Sequence, residues 1–199
     1  MGSLSNKLCI ATVILLDLLV GMEFDLFVPS FPQIEHYFGL TPFWVEASLS
    51  VNFLGYCISL LFVGSLADRF GRKPVVVAGL VQFILGCMLS LVATEYWLFL
   101  LGRFLQGIGV AAPTILSFLV IADQFPLKKQ QFMAVLNSVM NISVAVAPVL
   151  GSYITLYSNW QGNFIALSIL GMIALIMSAL FIPKLQNCPQ AKSSKKVKP

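Results

Sequence analysis

The sequence alternates long apolar runs with short polar connections. About 20 mostly apolar residues are needed for a helix to cross roughly 30 Å of hydrocarbon, and six runs are that long. They cover about residues 8–31, 43–66, 75–94, 97–121, 132–156 and 163–182. Thr41 followed by Pro42 is typical of a helix start, and the polar stretch 159–162 predicts a break before the last run. The pattern predicts an all-α membrane protein with a bundle of six transmembrane helices over residues 8–183.

Composition supports a lipid environment for most of the surface. Hydrophobic residues make up 58% of the chain and charged residues 10%, whereas a soluble domain carries about a quarter charged residues. The lipid bilayer is therefore the first expected partner. The four cysteines form no CxxC pair and no His cluster accompanies them, so we expect neither a metal nor a cofactor. HExxH and GxSxG motifs are also missing, which argues against an enzyme.

The basic residues predict the orientation of the helices. Of the twelve Lys and Arg, eleven fall on one side of a six-span path, and the opposite connections carry only Glu35, His36 and Glu95. The eleven are Lys7, Arg69, Arg72, Lys73, Lys128, Lys129, Lys184, Lys192, Lys195, Lys196 and Lys198. Loops rich in Lys and Arg stay in the cytoplasm, so both termini are expected there. Because these charges are spread over separate loops, they do not predict nucleic-acid binding.

The two ends of the chain are predicted to lie outside the bundle. Residues 1–7 form a short cytoplasmic N-terminus, and residues 184–199 form a polar, Lys-rich cytoplasmic tail. The composition of the tail is typical of disorder.

The connection between the second and third runs carries a recognisable motif. It reads Gly64-Ser65-Leu66-Ala67-Asp68-Arg69-Phe70-Gly71-Arg72-Lys73 and resembles the GxLaDRxGRK signature of the major facilitator superfamily. In that family the element acts as a cytoplasmic latch between conformations. Gly64 is expected to admit a neighbouring helix, Gly71 to permit a tight turn, and Asp68 to pair with Arg72 or a helix N-terminus.

Three further segments extend the resemblance over about residues 8–183. The stretch around Arg103 is similar to the family's intramembrane arginine motif, and residues 25–32 resemble the end of the first helix in drug:proton antiporters. The third is a degraded antiporter motif containing Ser143, Ala147, Pro148 and Gly151. The run 48–74 is most similar to the bicyclomycin-resistance (Bcr/CflA-like) branch. The resemblance therefore implies the N-terminal six-helix half of a major facilitator fold.

Family members have two six-helix halves, so the resemblance implies a second half as partner. That half is either another copy of this chain or a separate chain, unless the chain is a truncated product. Ser143, Ala147, Gly151 and Thr155 recur every four residues and form a smooth stripe for close helix approach. We expect this stripe to face the second half.

Charged residues inside the predicted spans mark a candidate site. A charge in the membrane is costly and should face a wet cavity or a partner. Asp25 and Arg103 each lie six residues, about 9 Å, below the same surface, and Glu23 lies slightly deeper. Because Asp25 matches the position in the resembling family segment at residues 25–32, the resemblance implies Asp25 as the first candidate for a proton-carrying carboxylate and Glu23 as the second, and Asp17 is expected to line one helix face with Asp25. An alternative is that Asp25 and Arg103 form a static pair joining two helices.

Polar residues in the spans are candidates for the same cavity. Asn52, Gln106 and Asn141 are expected either to line it or to join helices by hydrogen bonds. The resulting hypothesis is half of a proton-coupled secondary transporter, a small-molecule or drug exporter of the cell membrane (the inner membrane in a bacterium). The alternatives are a non-transporting binding or assembly subunit and an inactive truncated transporter.

Overall fold

The computed structural model describes residues 3–182, and this part of the chain is helical. Six α-helices follow one another, with 3-10 helices at Val28–Ser30 and Pro126–Lys128. They are α1 (Ser3–Glu23), α2 (Phe31–Phe38), α3 (Pro42–Phe70), α4 (Arg72–Leu91), α5 (Tyr96–Gln124) and α6 (Lys129–Phe181). The predicted tail at 184–199 lies outside the described residues, as do the first two residues of the predicted N-terminus.

Helix α6 is divided by a break at Asn159. This residue has φ 57° and ψ −175°, which is not a helical conformation, so the first arm (129–158) and the second arm (160–181) run in different directions. The break expected at 159–162 is confirmed. Within the described residues, four helices are long and apolar enough to cross a membrane: α3, α4, α5 and the continuous stretch Pro126–Phe181 that contains this break. The count of six spans remains a prediction.

The first predicted helix is shorter than expected. The apolar run suggested a helix to residue 31, but α1 ends at Glu23 and a turn follows over residues 24–27. Pro29 is the cause, because its nitrogen cannot donate to the carbonyl of Asp25, four residues earlier. The Val28 amide instead donates to that carbonyl in a tighter turn, at 3.3 Å. The chain then re-forms a helix as α2.

Helix α5 lies at the centre of the bundle, packed against α1, α3 and α4. Glycines allow these contacts to be close. A Cβ at Gly107 would clash with the backbone of Asn52 on α3, and a Cβ at Gly109 would clash with the backbone of Phe83 on α4. Close approach through small residues is a main source of helix association in lipid. It also sets which side chains of α3 and α5 meet.

The small-residue stripe on α6 packs inside this chain. Ser143, Ala147, Gly151 and Thr155 are all buried, and a Cβ at Gly151 would meet the backbone of Leu26 in the turn after α1. The expectation that the stripe faces a second half is therefore wrong, because α1 and the turn after it already cover it. Pro148, next to the stripe, is only partly buried. The opposite face of the first arm is exposed at Val149, Tyr153, Leu156 and Tyr157, among others.

Candidate functional site

Four fully buried polar side chains meet between α1, α3 and α5. Oε1 of Glu23 accepts a hydrogen bond from Nδ2 of Asn52 at 2.6 Å, and Nη1 of Arg103 lies 3.4 Å from the same oxygen. Nη1 of Arg103 also donates to Oε1 of Gln106 at 2.5 Å. All four residues have no solvent-exposed surface. We call Glu23, Asn52, Arg103 and Gln106 the central polar cluster.

The local structure explains how these side chains come together. Glu23 is the last residue of α1, where the helix gives way to a turn. Arg103 and Gln106 are three residues apart and therefore share a face of α5. Asn52 joins them because Gly107, the next residue of α5, has no side chain to hold the α3 backbone away.

Aromatic rings cover the arginine of the cluster. The guanidinium carbon of Arg103 lies 4.0 Å from the ring centroid of Phe27 and 5.8 Å from that of Phe164. A cation over an aromatic face is stabilised most strongly when water is excluded, as it is here. The rings therefore help Arg103 to remain charged while it lies inside the bundle.

The central polar cluster has unused hydrogen-bonding capacity. Within the described residues, no hydrogen-bond partner is found for Oε2 of Glu23, Oδ1 of Asn52, Nε and Nη2 of Arg103, or Nε2 of Gln106. Buried polar groups without partners are costly, and such groups occur where a site binds ligands or changes partners. The cluster thus combines a buried carboxylate with donors and acceptors that have no partner among the described residues.

The carboxylate that contacts Arg103 differs from the one expected. The sequence favoured Asp25, but Glu23 is the residue next to Arg103, so the pairing of Asp25 with Arg103 is wrong. Glu23 and Asp25 were both expected at a depth close to that of Arg103. Because α1 ends at Glu23 and Asp25 lies in the turn that follows, Glu23 is the one that contacts Arg103. Asp25 is partly buried, and within the described residues it forms no ion pair.

The other residues that were predicted for the site do not belong to the central polar cluster. Asp17 is buried on α1 and accepts a hydrogen bond from Ser117 on α5 at 2.8 Å, away from the central polar cluster. Asn141 is exposed on the first arm of α6 and does not join it. Of the three polar candidates, only Asn52 and Gln106 are brought to Arg103.

The motif at residues 64–73 forms a different ion pair from the Asp68–Arg72 pair that was expected. Arg72 pairs with Asp123 and donates to the carbonyl of Leu119, both near the end of α5, so its carboxylate partner is Asp123 and not Asp68. Gly71 has φ 90° and makes the tight turn between α3 and α4, as predicted. Gly64 has no other atom within 4 Å of the position a Cβ would take. The turn is flanked by Asp68 and Arg69, which are exposed at the end of α3, and by Lys73 at the start of α4.

A second buried polar cluster was not expected from the sequence. Ser30 and Thr155 share a hydrogen bond at 2.8 Å, and Nδ2 of Asn163 donates to both, at 2.6 and 2.9 Å. These residues join the 3-10 helix after α1 to both arms of α6. The only signal in the sequence was three polar residues in apolar runs, which did not indicate that the break at Asn159 would bring them together.

The helices pack as a bundle around buried polar side chains. Residues 13–199 match the family model of the Major Facilitator Superfamily. The chain belongs to this superfamily, and it is a multi-pass membrane protein.

Individual relatives match a large part of this chain and a smaller part of their own. The multidrug resistance protein MdtL of Escherichia coli (strain K12) and that of Shigella boydii serotype 18 are each 34% identical over 170 residues, 85% of this chain and 43% of theirs. The human organic anion transporter MFSD10 (TETRAN) has the same fold, with a TM-score of 0.71 at 20% identity over 89% of this chain and 48% of that one. The chain thus spans less than half the length of these relatives.

Proposed function

We propose that this chain is half of a proton-coupled secondary transporter, an exporter of small molecules such as drugs, and that it works with a second six-helix half. The observation that carries the proposal is the central polar cluster: a fully buried carboxylate beside a fully buried arginine, with unused donors and acceptors. The similarity to multidrug resistance proteins supports export. The motifs at 48–74 favour the Bcr/CflA-like branch.

Glu23 is the proposed proton carrier. As a carboxylate it attracts Arg103 and accepts the hydrogen bond from Asn52. A proton on Glu23 neutralises this carboxylate, which then attracts neither Arg103 nor a cationic substrate. A cationic substrate and a proton then compete for Glu23, which is the coupling that antiport requires. Asp17 and Asp25 are the further proposed proton sites.

The proposed topology has six spans, with both termini in the cytoplasm. It rests on the eleven basic residues that fall on one side. The contact of Arg72 with Asp123 then lies at the cytoplasmic end, where it fixes the turn between α3 and α4. Asp68, Arg69 and Lys73 project from this turn and, with Gly64, form the proposed latch toward the second half.

A non-transporting assembly subunit is the second candidate. The central polar cluster joins three helices, and such a network also stabilises a bundle that moves nothing. The two roles differ in what happens when Glu23 loses its charge. A static role predicts a change in stability alone, whereas a coupling role predicts loss of export with the fold intact.

Ethidium efflux from cells tests the proposal. The chain is co-expressed with a second six-helix half, and efflux is measured with and without a proton gradient. We expect gradient-dependent efflux that Glu23→Gln abolishes and that Glu46→Gln, at an exposed carboxylate of α3, leaves unchanged. Equal efflux by both variants at equal membrane levels would exclude Glu23 as the proton carrier.

A further inference from the structure

A cavity lies at the end of the bundle opposite the Arg72–Asp123 contact. It has a volume of about 380 Å³ and is formed where the end of α2 meets the first turns of α3 and α5. Five aromatic residues line it, and the only charged lining residue is Glu95. The aromatic residues are Tyr37, Phe38, Trp44, Tyr96 and Trp97. We call these five rings and Glu95 the aromatic cage.

Contacts between the rings hold the aromatic cage in place. Tyr37 and Phe38 are 4.8 Å apart between centroids, and Trp44 and Tyr96 are 6.2 Å apart, both pairs edge to face. The hydroxyl of Tyr96 donates to the backbone carbonyl of Trp44, which ties the start of α5 to the start of α3. Tyr96 is buried, whereas Tyr37, Trp44 and Trp97 remain 49%, 43% and 72% exposed. The cavity is therefore preformed and accessible.

The charges at this end favour a cation. Residues 28–48, 88–100 and 150–166 contain no Lys or Arg, and Glu95 supplies a carboxylate within the cavity lining. The negative face of an aromatic ring attracts a cation within about 6 Å, and several rings around one ammonium group form a recognised binding arrangement. A carboxylate at the edge of the rings adds to this attraction.

Placement at a membrane surface does not by itself explain the aromatic cage. Trp and Tyr are common where a membrane protein meets the lipid headgroups, and this accounts for single exposed rings such as Trp97. It does not account for a concave group of five rings with a carboxylate among them.

We propose that the aromatic cage binds an alkylammonium group, either of a free organic cation or of an amine-bearing lipid headgroup. The site is separate from the central polar cluster and does not depend on the proposed transport activity. Glu95 attracts the positive charge, and the rings of Trp44, Tyr96 and Trp97 contact the alkyl groups. An anionic ligand would be repelled by the Glu95 carboxylate in the lining.

Intrinsic fluorescence reports directly on this region. The chain has three tryptophans; Trp44 and Trp97 line the aromatic cage, and Trp160 lines a neighbouring cavity that shares Tyr37. The full chain is placed in nanodiscs of phosphatidylglycerol, which has no amine, and titrated with choline. The control is 3,3-dimethylbutan-1-ol, which has the shape of choline without its charge.

The expected result is a saturable change in fluorescence with choline and none with the neutral alcohol. Glu95→Gln should weaken choline binding about fivefold, as expected for loss of one exposed charge contact. Trp97→Leu should weaken choline binding by a similar factor of about five. In this variant Trp44 is the remaining tryptophan of the aromatic cage, and its fluorescence reports the binding. Glu46→Gln, an exposed carboxylate outside the aromatic cage, should leave it unchanged.

Replacing part of the lipid with phosphatidylethanolamine separates the two sources. If the apparent affinity for choline is weaker than in nanodiscs with the same fraction of a neutral, amine-free glycolipid, which dilutes the anionic surface charge equally, the lipid headgroup occupies the aromatic cage; equal affinities assign the site to free cations. The proposal is overturned if choline and the neutral alcohol give the same response, if neither saturates, or if Glu95→Gln and Glu46→Gln bind choline equally.

Discussion

Gly151 is the position where a single methyl group should most clearly disturb the packing of α6. A Cβ built there lies 2.8 Å from the carbonyl carbon of Leu26 and 3.3 Å from its Cα, and it clashes with the carbonyl oxygen. These atoms belong to the backbone and cannot rotate away. Gly151→Ala must therefore push the first arm of α6 away from the turn that follows α1, which also carries Phe27 over Arg103.

Gly64→Ala is the matched control. Gly64 also lies within a long helix, but nothing is within 4 Å of its Cβ position. Replacing Gly by Ala in a helix is favourable by about 1 kcal/mol in both cases, so this effect cancels in the comparison. Overpacking costs about 1–3 kcal/mol. We expect Gly151→Ala to be less stable than Gly64→Ala by an amount in that range, near its upper end because the clash is with backbone.

Reversible unfolding in mixed micelles measures this difference. The purified chain in a mild detergent is titrated with sodium dodecyl sulfate, and unfolding is followed by tryptophan fluorescence and circular dichroism. The free energies of unfolding of the two variants are compared at equal detergent concentration. Surface substitutions usually change the free energy of unfolding by less than about 0.5 kcal/mol. A difference between the two variants below that value would refute the close packing of α6 on the turn after α1.

Four other predictions follow from the charges and the topology. Arg103→Ala leaves Glu23 buried without a cation and should lower the free energy of unfolding by about 3 kcal/mol, whereas the double variant Glu23→Gln, Arg103→Gln should lose less; equal losses would argue against the pair. Arg72→Ala and Asp123→Ala should each destabilise the chain, and combining them should add little, which a double-mutant cycle measures. Phe70→Cys in a cysteine-free background should react with a membrane-impermeant reagent only from the cytoplasmic side, and labelling from outside would contradict the topology. The chain without a second half should insert into liposomes but not transport ethidium, so robust flux by a verified monomer would contradict its role as a half.

The all-helical fold could be predicted from the sequence because lipid restricts the backbone. In the bilayer every backbone polar group must be paired within the helix, so long apolar runs become helices, and the polar break at 159–162 was visible. The end of α1 was missed because Pro29 acts locally inside an apolar run. The stripe of small residues was found, but its partner was not. A small-residue surface shows that a helix approaches closely and does not indicate which helix.

The candidate site was predicted in part. Arg103, Asn52 and Gln106 were recognised as costly polar groups in apolar helices, and they do meet. The expected pairing of Asp25 with Arg103 was wrong because the depth of Asp25 was counted along a helix continuing to residue 31, whereas α1 ends at Glu23, which lies beside Arg103. Asp123 was not recognised as the partner of Arg72, since pairing between the ends of α4 and α5 depends on how the two helices pack. These contacts depend on tertiary structure, which spacing along one chain does not determine.

Counting protons released on substrate binding tests the central claim most directly. The chain, co-purified with a second six-helix half in weakly buffered detergent, is mixed with ethidium in the presence of a pH-sensitive dye. The account predicts that ethidium binding releases protons and that Glu23→Gln, with its fold intact, binds ethidium and releases fewer. Undiminished proton release by Glu23→Gln, or ethidium binding without any proton release by the unsubstituted protein, would contradict it.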